Sequence, residues 1–172
     1  MKRIGCSAML VLISSCAIGV PLIESKVAIS DDIELEFKEY RYTNDDRAAC
    51  EKSESHCFKN GVPVFGTESL HPISHLSALE LRYKDTRYQL DTSFMYNAGA
   101  EKGHQVNGVV EYFYANCYDA KNCIVRGIFS DAGGTYVAEW KVLDGKPFRT
   151  ILTTAGDIVS KFVDDIRPPV YQ

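Results

Sequence analysis

Apolar and polar residues alternate one by one over several segments of this chain, and the alternation restricts the fold more than any other feature of the sequence. Residues 33–38 read Ile-Glu-Leu-Glu-Phe-Lys, and the same period is present in residues 79–83 and 135–142. A period of two places alternate side chains on opposite faces, as in a strand with one buried and one solvent-facing side. We therefore expect a mainly β protein, either an antiparallel β sandwich or a partly open barrel.

Turn residues indicate how these strands are connected. Asp144-Gly145 lies between two extended runs and predicts a hairpin, because both residue types tolerate a positive φ. The returning strand is expected at residues 148–152, and Pro147 beside the turn suits a strand start. A second hairpin is expected from residues 79–83 through a turn at 84–86. Further strands are expected at residues 109–114 and 124–129.

One helix is expected at the C-terminal end of the chain. The spacing of apolar residues predicts it over residues 156–166, with Thr154 or Asp157 as its cap and Pro168-Pro169 beyond its end. The apolar residues that recur at helical spacing are Ile158, Val159, Phe162, Val163 and Ile166.

The chain length gives room for one domain of ordinary size. With 172 residues, we expect a single β-rich domain over residues 20–172, with its body between about residues 25 and 170. Two loops, at residues 43–61 and 93–106, are long for a small β domain. Long loops often carry function, so both are candidate binding segments.

The first segment has the three parts of a secretory signal peptide. Lys2 and Arg3 are followed by an apolar run at residues 9–13 and then by small residues. The apolar run is much shorter than the roughly 20 residues of a membrane-spanning helix. We therefore expect export to the periplasm, with residues 1–19 removed as a signal peptide.

Two modes of cleavage remain open. Ile13-Ser14-Ser15-Cys16 resembles the lipobox of bacterial lipoproteins, in which case residues 1–15 are removed and Cys16 carries a lipid. Ala17-Ile18-Gly19 instead suits ordinary cleavage before Val20. In the second case Cys16 belongs to the discarded peptide.

Four cysteines lie beyond the leader, namely Cys50, Cys57, Cys117 and Cys123. An even number in an exported chain predicts disulfides, and the spacing favours the local pairs Cys50–Cys57 and Cys117–Cys123 among three possible connectivities. A zinc site is the alternative, but neither pair has the two-residue spacing of a zinc knuckle.

The sequence contains little that predicts catalysis. His71 and His75 are four residues apart, but Pro72 argues against a helical metal site and favours two histidines in a surface loop. Residues 131–134 read Asp-Ala-Gly-Gly and precede a strand, which indicates a strand-joining turn and not a phosphate site. A Gly-x-Ser-x-Gly nucleophile motif is absent from the sequence.

A triad of Asp91, Ser93 and His104 has no support beyond the residue types, because sequence spacing does not define a triad. We therefore expect a protein that is not an enzyme and that uses neither a metal ion nor a cofactor.

Charge and aromatic content favour a protein partner. The formal charge is −4, and removal of residues 1–19, which include Lys2 and Arg3 and no acidic residue, would make it −6. This balance disfavours nucleic-acid binding, which needs a basic face. Ten tyrosines are many for this length, and tyrosine is common in interfaces, although the same residues also pack in β cores. The candidate partner-binding residues are Met95, Tyr96 and His104 in a predicted exposed loop, together with Tyr114 and Tyr118.

Several stretches of the chain resemble small exported bacterial proteins. They are residues 60–67, 90–96, 129–140 and 149–152, together with the C-terminal helix and Pro168-Pro169. On these stretches the chain resembles the periplasmic immunity proteins that are paired with type VI secretion peptidoglycan-amidase toxins.

The resemblance implies a β-rich inhibitor whose loop enters the active-site cleft of a basic cell-wall hydrolase. One inhibitor of this kind uses adjacent serines, and the mature part of this sequence has no Ser-Ser pair, so no inhibitory residue is carried over. The alternative is an envelope lipoprotein that acts as a structural or small-ligand-binding module.

Overall fold

Two four-stranded antiparallel sheets form the body of the protein in the computed structural model. The structure describes residues 23–41, 51–52, 57–59, 61–67, 72–99, 105–106, 109–110, 112–130 and 132–166. In chain order, its elements are β1 (Ile23–Ser30), β2 (Ile33–Arg41), β3 (Glu51–Lys52), β4 (Cys57–Lys59), β5 (Val62–Pro63), β6 (Ser74–Tyr83), β7 (Thr86–Gln89), β8 (Gln105–Val106), β9 (Val109–Val110), β10 (Phe113–Asp119), β11 (Asn122–Phe129), a 3-10 turn (Ala132–Gly134), β12 (Tyr136–Leu143), β13 (Lys146–Thr153) and α1 (Gly156–Ile166).

The strand order is β1-β2-β6-β7 in the first sheet and β10-β11-β12-β13 in the second. A three-stranded sheet, β3-β4-β5, and a two-stranded sheet, β8-β9, are smaller additions. Both large sheets contribute side chains to one hydrophobic core, as in a β sandwich. The predictions of a mainly antiparallel β fold and of one C-terminal helix at residues 156–166 are confirmed.

Large aromatic side chains fill the space between the two sheets. The rings of Phe37 and Phe113, one from each sheet, lie 4.7 Å apart. Phe129 stacks on Tyr136 at 5.3 Å, and both side chains are fully buried. The fully buried Trp140 uses its indole N–H to bind the main-chain oxygen of Asp91 at 2.8 Å. Aromatic burial of this extent is a major source of stability for a domain of this size.

A β-bulge in β6 changes which of its side chains face the core. The register of β6 against β2 shifts at Ser77, the extra residue of the bulge. After the bulge the odd-numbered Leu79 and Leu81 are buried, whereas before it the even-numbered Ser74 and Leu76 are buried. Because strand side chains alternate between faces, one extra residue exchanges the inner and outer positions.

The core also contains a carboxylate, because Glu39 is in phase with the buried apolar residues of β2. It is 1% exposed, and it accepts hydrogen bonds from the Ser74 hydroxyl and from the Ala98 N–H at 3.0 Å. Burial, with the nearby charge of Glu39, raises the pKa of Tyr136 well above its usual value. The protonated Tyr136 hydroxyl donates to the main-chain oxygen of Tyr96 at 3.1 Å.

The two sheets differ on their outer faces. The first sheet carries cross-strand ion pairs there, and the hydrogen bond from Lys26 is the main cause that lowers the pKa of Glu36. Helix α1 covers part of the outer face of the second sheet, where Phe162 packs with Ile128 and Val137. The cross-strand ion pairs on the first sheet are Lys26–Glu36, Lys38–Glu24 and Arg82–Glu34, at 3.0, 3.0 and 3.2 Å.

Both predicted hairpins are present, as β6-β7 and as β12-β13 around Asp144-Gly145. The predicted strand at residues 109–114 is instead divided between β9 and β10. Strand β1 was not predicted from the sequence, although its exposed and more buried side chains alternate over residues 24–30.

The prediction that His75 lies in a surface loop is wrong. His75 belongs to β6, is half-buried, and stacks on Tyr40 with ring centres 6.1 Å apart. The reason is that pairing with β2 continues to Ser74, beyond the bulge. His71 lies outside the described residues, as do the predicted leader and Cys16.

Candidate functional site

A disulfide closes the hairpin between β10 and β11. Cys117 and Cys123 are directly opposite each other, with an S–S distance of 2.06 Å and a Cα–Cα distance of 4.1 Å. This confirms one of the two predicted bridges. Cys57 is also disulfide-bonded, but Cys50, its predicted partner, lies outside the described residues.

Hydrogen bonds fix the tip of this hairpin in one conformation. The Asp119 carboxylate accepts from the Asn122 amide at 2.9 Å and from the Lys121 N–H at 2.7 Å, and these bonds lower the pKa of Asp119. The Tyr88 hydroxyl donates to the main-chain oxygen of Ala120. The Gly145 N–H donates to the main-chain oxygen of Lys121 at 2.9 Å, which ties together the ends of two hairpins.

Large apolar side chains are exposed on this hairpin and on the β12-β13 hairpin next to it in the sheet. Tyr118, the extra residue of a bulge in β10, is 82% exposed, and Tyr114 is 40% exposed. Tyr114 is opposite Arg126, and Phe148 is opposite Lys141, so both lie on the outer face of the second sheet. We call the exposed residues Tyr114, Tyr118, Leu143 and Phe148 the hairpin surface.

The chain was compared with protein families, curated proteins and solved structures. No match was found. A function for this chain can therefore be inferred only from the geometry of its own residues.

The prediction that Met95 and Tyr96 form an exposed loop tip is wrong. Met95 is 1% exposed and Tyr96 is 5% exposed. Their segment is held between two others, since Met95 forms a β-bridge with Phe65 and Tyr96 forms one with His75. This part of the loop therefore folds back on the domain, and His104 lies outside the described residues.

Tyr96 instead forms part of the wall of a surface cleft of about 420 Å³. The cleft lies between β4, the start of β6 and the segment that carries Tyr96. The Lys59 ammonium is 3.5 Å from the Tyr96 hydroxyl oxygen, and the His75 ring is tilted against Tyr96 at 6.3 Å. The lining residues are Lys59, His75, Leu76, Ser77, Thr92, Ser93, Phe94, Met95 and Tyr96.

Gly66 allows its own segment to lie close to the main chain of Tyr96, a residue of the cleft wall. Its φ is +84°, and a Cβ at this position would lie 1.9 Å from the main-chain oxygen of Tyr96. The Asn97 side-chain amide donates to the main-chain oxygen of Gly66 at 2.7 Å. Any residue with a Cβ at position 66 would therefore collide with the main chain of Tyr96.

Asp91 and Ser93 have structural roles in the described part of the chain. The Ser93 N–H donates to Asp91 at 2.9 Å, and Arg149 forms an ion pair with Asp91 at 3.2 Å. Although burial opposes it, the pKa of Asp91 is lowered by the hydrogen bonds of Ser93 and by the charge of Arg149. Burial lowers the pKa of Arg149, although the negative charge of Asp91 acts to raise it.

Within the described residues, histidine, cysteine and acidic side chains do not come together in a group of three that could hold a metal ion. Helix α1, which has 11 residues, is too short to cross a membrane, and no helix in the described ranges is long and apolar enough to do so. The sequence does not predict the cleft, because a lone lysine next to a short strand has no distinguishing pattern.

Proposed function

We propose that this chain is an exported, non-catalytic immunity protein that binds a secreted cell-wall hydrolase toxin in the periplasm and blocks it. The observation that carries the proposal is the hairpin surface, where Tyr118 is 82% exposed on a disulfide-closed hairpin. Large exposed aromatic side chains are common in protein-binding sites, and tyrosine is among the residues that dominate binding energy.

The rigidity of the hairpin supports an inhibitory role. The Cys117–Cys123 bridge and the hydrogen bonds of Asp119 and Tyr88 hold the tip before any partner arrives. A preorganised surface loses less conformational entropy on docking than a flexible loop. The negative formal charge of the chain, −4, would favour rapid association with a basic hydrolase.

The test is a binding measurement with the product of the neighbouring gene. We expect Tyr118→Ala or Tyr114→Ala to weaken binding by about 2 kcal/mol, a roughly 30-fold loss, if either is a central anchor. Ile73→Ala is the matched control, because Ile73 is 62% exposed but lies next to β6 in the other sheet. A pull-down that recovers no hydrolase, or equal binding by all three variants and the unmodified protein, would contradict the proposal.

Export is part of the proposal and has its own test. Mass spectrometry of the N-terminus of the purified protein distinguishes a diacylglyceryl group on Cys16 from an unmodified Val20. Retention of Met1 in cells would contradict export by either route.

The second candidate function is a small-ligand-binding module of the envelope, which in its lipoprotein form would be anchored through Cys16. The cleft beside Lys59 favours this candidate, because its volume of about 420 Å³ lies in the range of small-molecule sites. The interior of the sandwich does not favour it, since Trp140, Tyr136 and Phe129 occupy the space between the sheets.

A further inference from the structure

We propose that the cleft beside Lys59 binds a small organic carboxylate that carries a flat apolar group. The inference does not depend on the proposed inhibition of a toxin, and it names a ligand class for the cleft of the second candidate function. The cleft and the hairpin surface share no residue and belong to different parts of the fold.

The charge of the lining favours an anion. The Lys59 ammonium carries a positive charge, and the described residues of the lining include no aspartate or glutamate. The Lys59 ammonium donates to the Tyr96 hydroxyl at 3.5 Å, a long bond, and the ion pairs among the described residues do not include Lys59. A half-buried ammonium without a carboxylate neighbour attracts a ligand carboxylate more strongly than a fully solvated one does.

The shape and composition of the cleft specify the rest of the ligand. The aromatic side chains of Phe94 and His75 line the cleft and can pack against a flat group, while the hydroxyls of Thr92 and Ser93 can supply polar contacts. With one ammonium among the described lining residues, the site matches a singly charged carboxylate better than a phosphate, which needs more donors. The volume of about 420 Å³ suits a ligand of this size.

Main-chain hydrogen bonds hold the floor of the cleft in place. The Leu76 N–H donates to the main-chain oxygen of Met95 at 2.9 Å, and the Tyr96 N–H donates to that of Phe65 at 3.0 Å. The Phe65 N–H in turn donates to the main-chain oxygen of Phe94 at 2.9 Å. The floor is thus formed in the unliganded protein, which lowers the entropy cost of binding.

The test is an NMR titration of the purified protein, expressed from its full-length gene, with phenylacetate and with its neutral analogue phenylacetamide. We expect phenylacetate to shift the amide signals of residues 75–77 and 92–96 and to bind about 10-fold more tightly than phenylacetamide. Lys59→Met should remove that roughly 10-fold preference and leave phenylacetamide binding unchanged. Lys146→Met is the control, because Lys146 is an exposed lysine on β13 and should change neither affinity.

Several results would overturn the proposal. They are equal affinity for the acid and the amide, an unchanged preference in Lys59→Met, or no saturable shift at these residues up to about 10 mM ligand. Tighter binding of phenyl phosphate than of phenylacetate would show that the ligand class is wrong. If Lys59→Met lowers the unfolding midpoint, Lys59→Gln replaces it in the same comparison. None of these outcomes bears on toxin binding, which is measured with a different partner and different variants.

Discussion

At the scale of single residues, the segment around Gly66 shows how closely main-chain groups approach each other in this protein. Gly66 and Gly61 both have positive φ, of +84° and +73°. A Cβ at Gly61 would meet nothing within 4 Å, whereas one at Gly66 would collide with Tyr96. Alanine variants at the two positions therefore distinguish the free-energy cost of a positive φ from the cost of a steric collision.

Gly61→Ala is expected to cost about 1 kcal/mol of unfolding free energy, because an L-residue is strained at positive φ. Gly66→Ala adds the collision with the main-chain oxygen of Tyr96 and should cost more than about 2 kcal/mol in total. Urea unfolding of the two variants provides the measurement. Equal costs would mean that the approach of Tyr96 to Gly66 is not a tight contact.

A second residue-scale feature is the carboxylate of Glu139, which faces α1 and is almost fully buried. It accepts hydrogen bonds from Arg126 at 2.7 Å and from Thr150 at 2.8 Å. Burial alone would raise the pKa of Glu139, but these bonds and the charge of Arg126 lower it below its usual value. The folded state thus favours the ionised form.

The stability that Glu139 contributes is therefore present above the pKa of an unfolded glutamate, about 4.3, and is lost as the pH falls through the lower folded value. We expect Glu139→Gln to reduce the unfolding free energy by about 1–3 kcal/mol near pH 7, and the deficit to shrink towards about pH 3. Glu24→Gln is the control, because the Glu24 side chain is 47% exposed and its ion pair should contribute less than about 1 kcal/mol. A deficit for Glu139→Gln that is independent of pH would contradict the assignment.

At the scale of elements, α1 is attached to the second sheet through one face. Phe162 is 4% exposed among Ile128 and Val137, and the Arg126 guanidinium lies over its ring at 5.4 Å. Asp165 extends the contact by pairing with Arg126 at 3.0 Å. The neighbouring Val163 is 38% exposed and points away from this face.

Phe162→Ala should therefore destabilise the protein by about 3 kcal/mol, because it removes the central side chain of the contact and leaves a cavity. Val163→Ala, one position further along the same helix, should stay within about 0.5 kcal/mol of the unmodified protein. Thermal unfolding followed by circular dichroism compares them. Similar melting temperatures for both variants would mean that α1 does not depend on Phe162 for its attachment.

The limits of sequence-based prediction are also visible at this scale. Regular alternation located β2, and the Asp144-Gly145 turn located the β12-β13 hairpin, because both patterns are local. The bulge at Ser77 interrupts the alternation of β6, so the first half of that strand was not predicted. Strand β1 was not predicted either, and one of its more buried positions is the polar Ser25.

The candidate sites were predicted in part. Tyr114 and Tyr118 are exposed as expected, but the burial of Met95 and Tyr96 depends on contacts with Phe65 and His75, which lie far away in sequence. The cleft could not be predicted, because Lys59 reaches it through the placement of a three-stranded sheet relative to β6 and not through a local pattern.

At the scale of the whole molecule, Trp140 reports on the packing of both sheets. It is the chain's single tryptophan, it is fully buried, and its indole N–H binds the segment that follows β7. We expect its fluorescence to be protected from acrylamide in the native state and to become quenchable in one step on unfolding. That step should coincide with the loss of circular dichroism, as in a two-state transition. An earlier fluorescence transition would mean that the two sheets separate before either one unfolds.

The bulge at Ser77 determines which residues of β6 face the core. Residues on one side of Ser77 present their even positions to the core, and residues on the other side present their odd positions. An insertion or deletion of one residue within the strand would turn Ser74 and Leu76 outward and His75 inward, which would bury an imidazole and empty the wall of the cleft. Length changes in this gene should therefore accumulate in the turns, and within β6 they should occur only in compensating pairs.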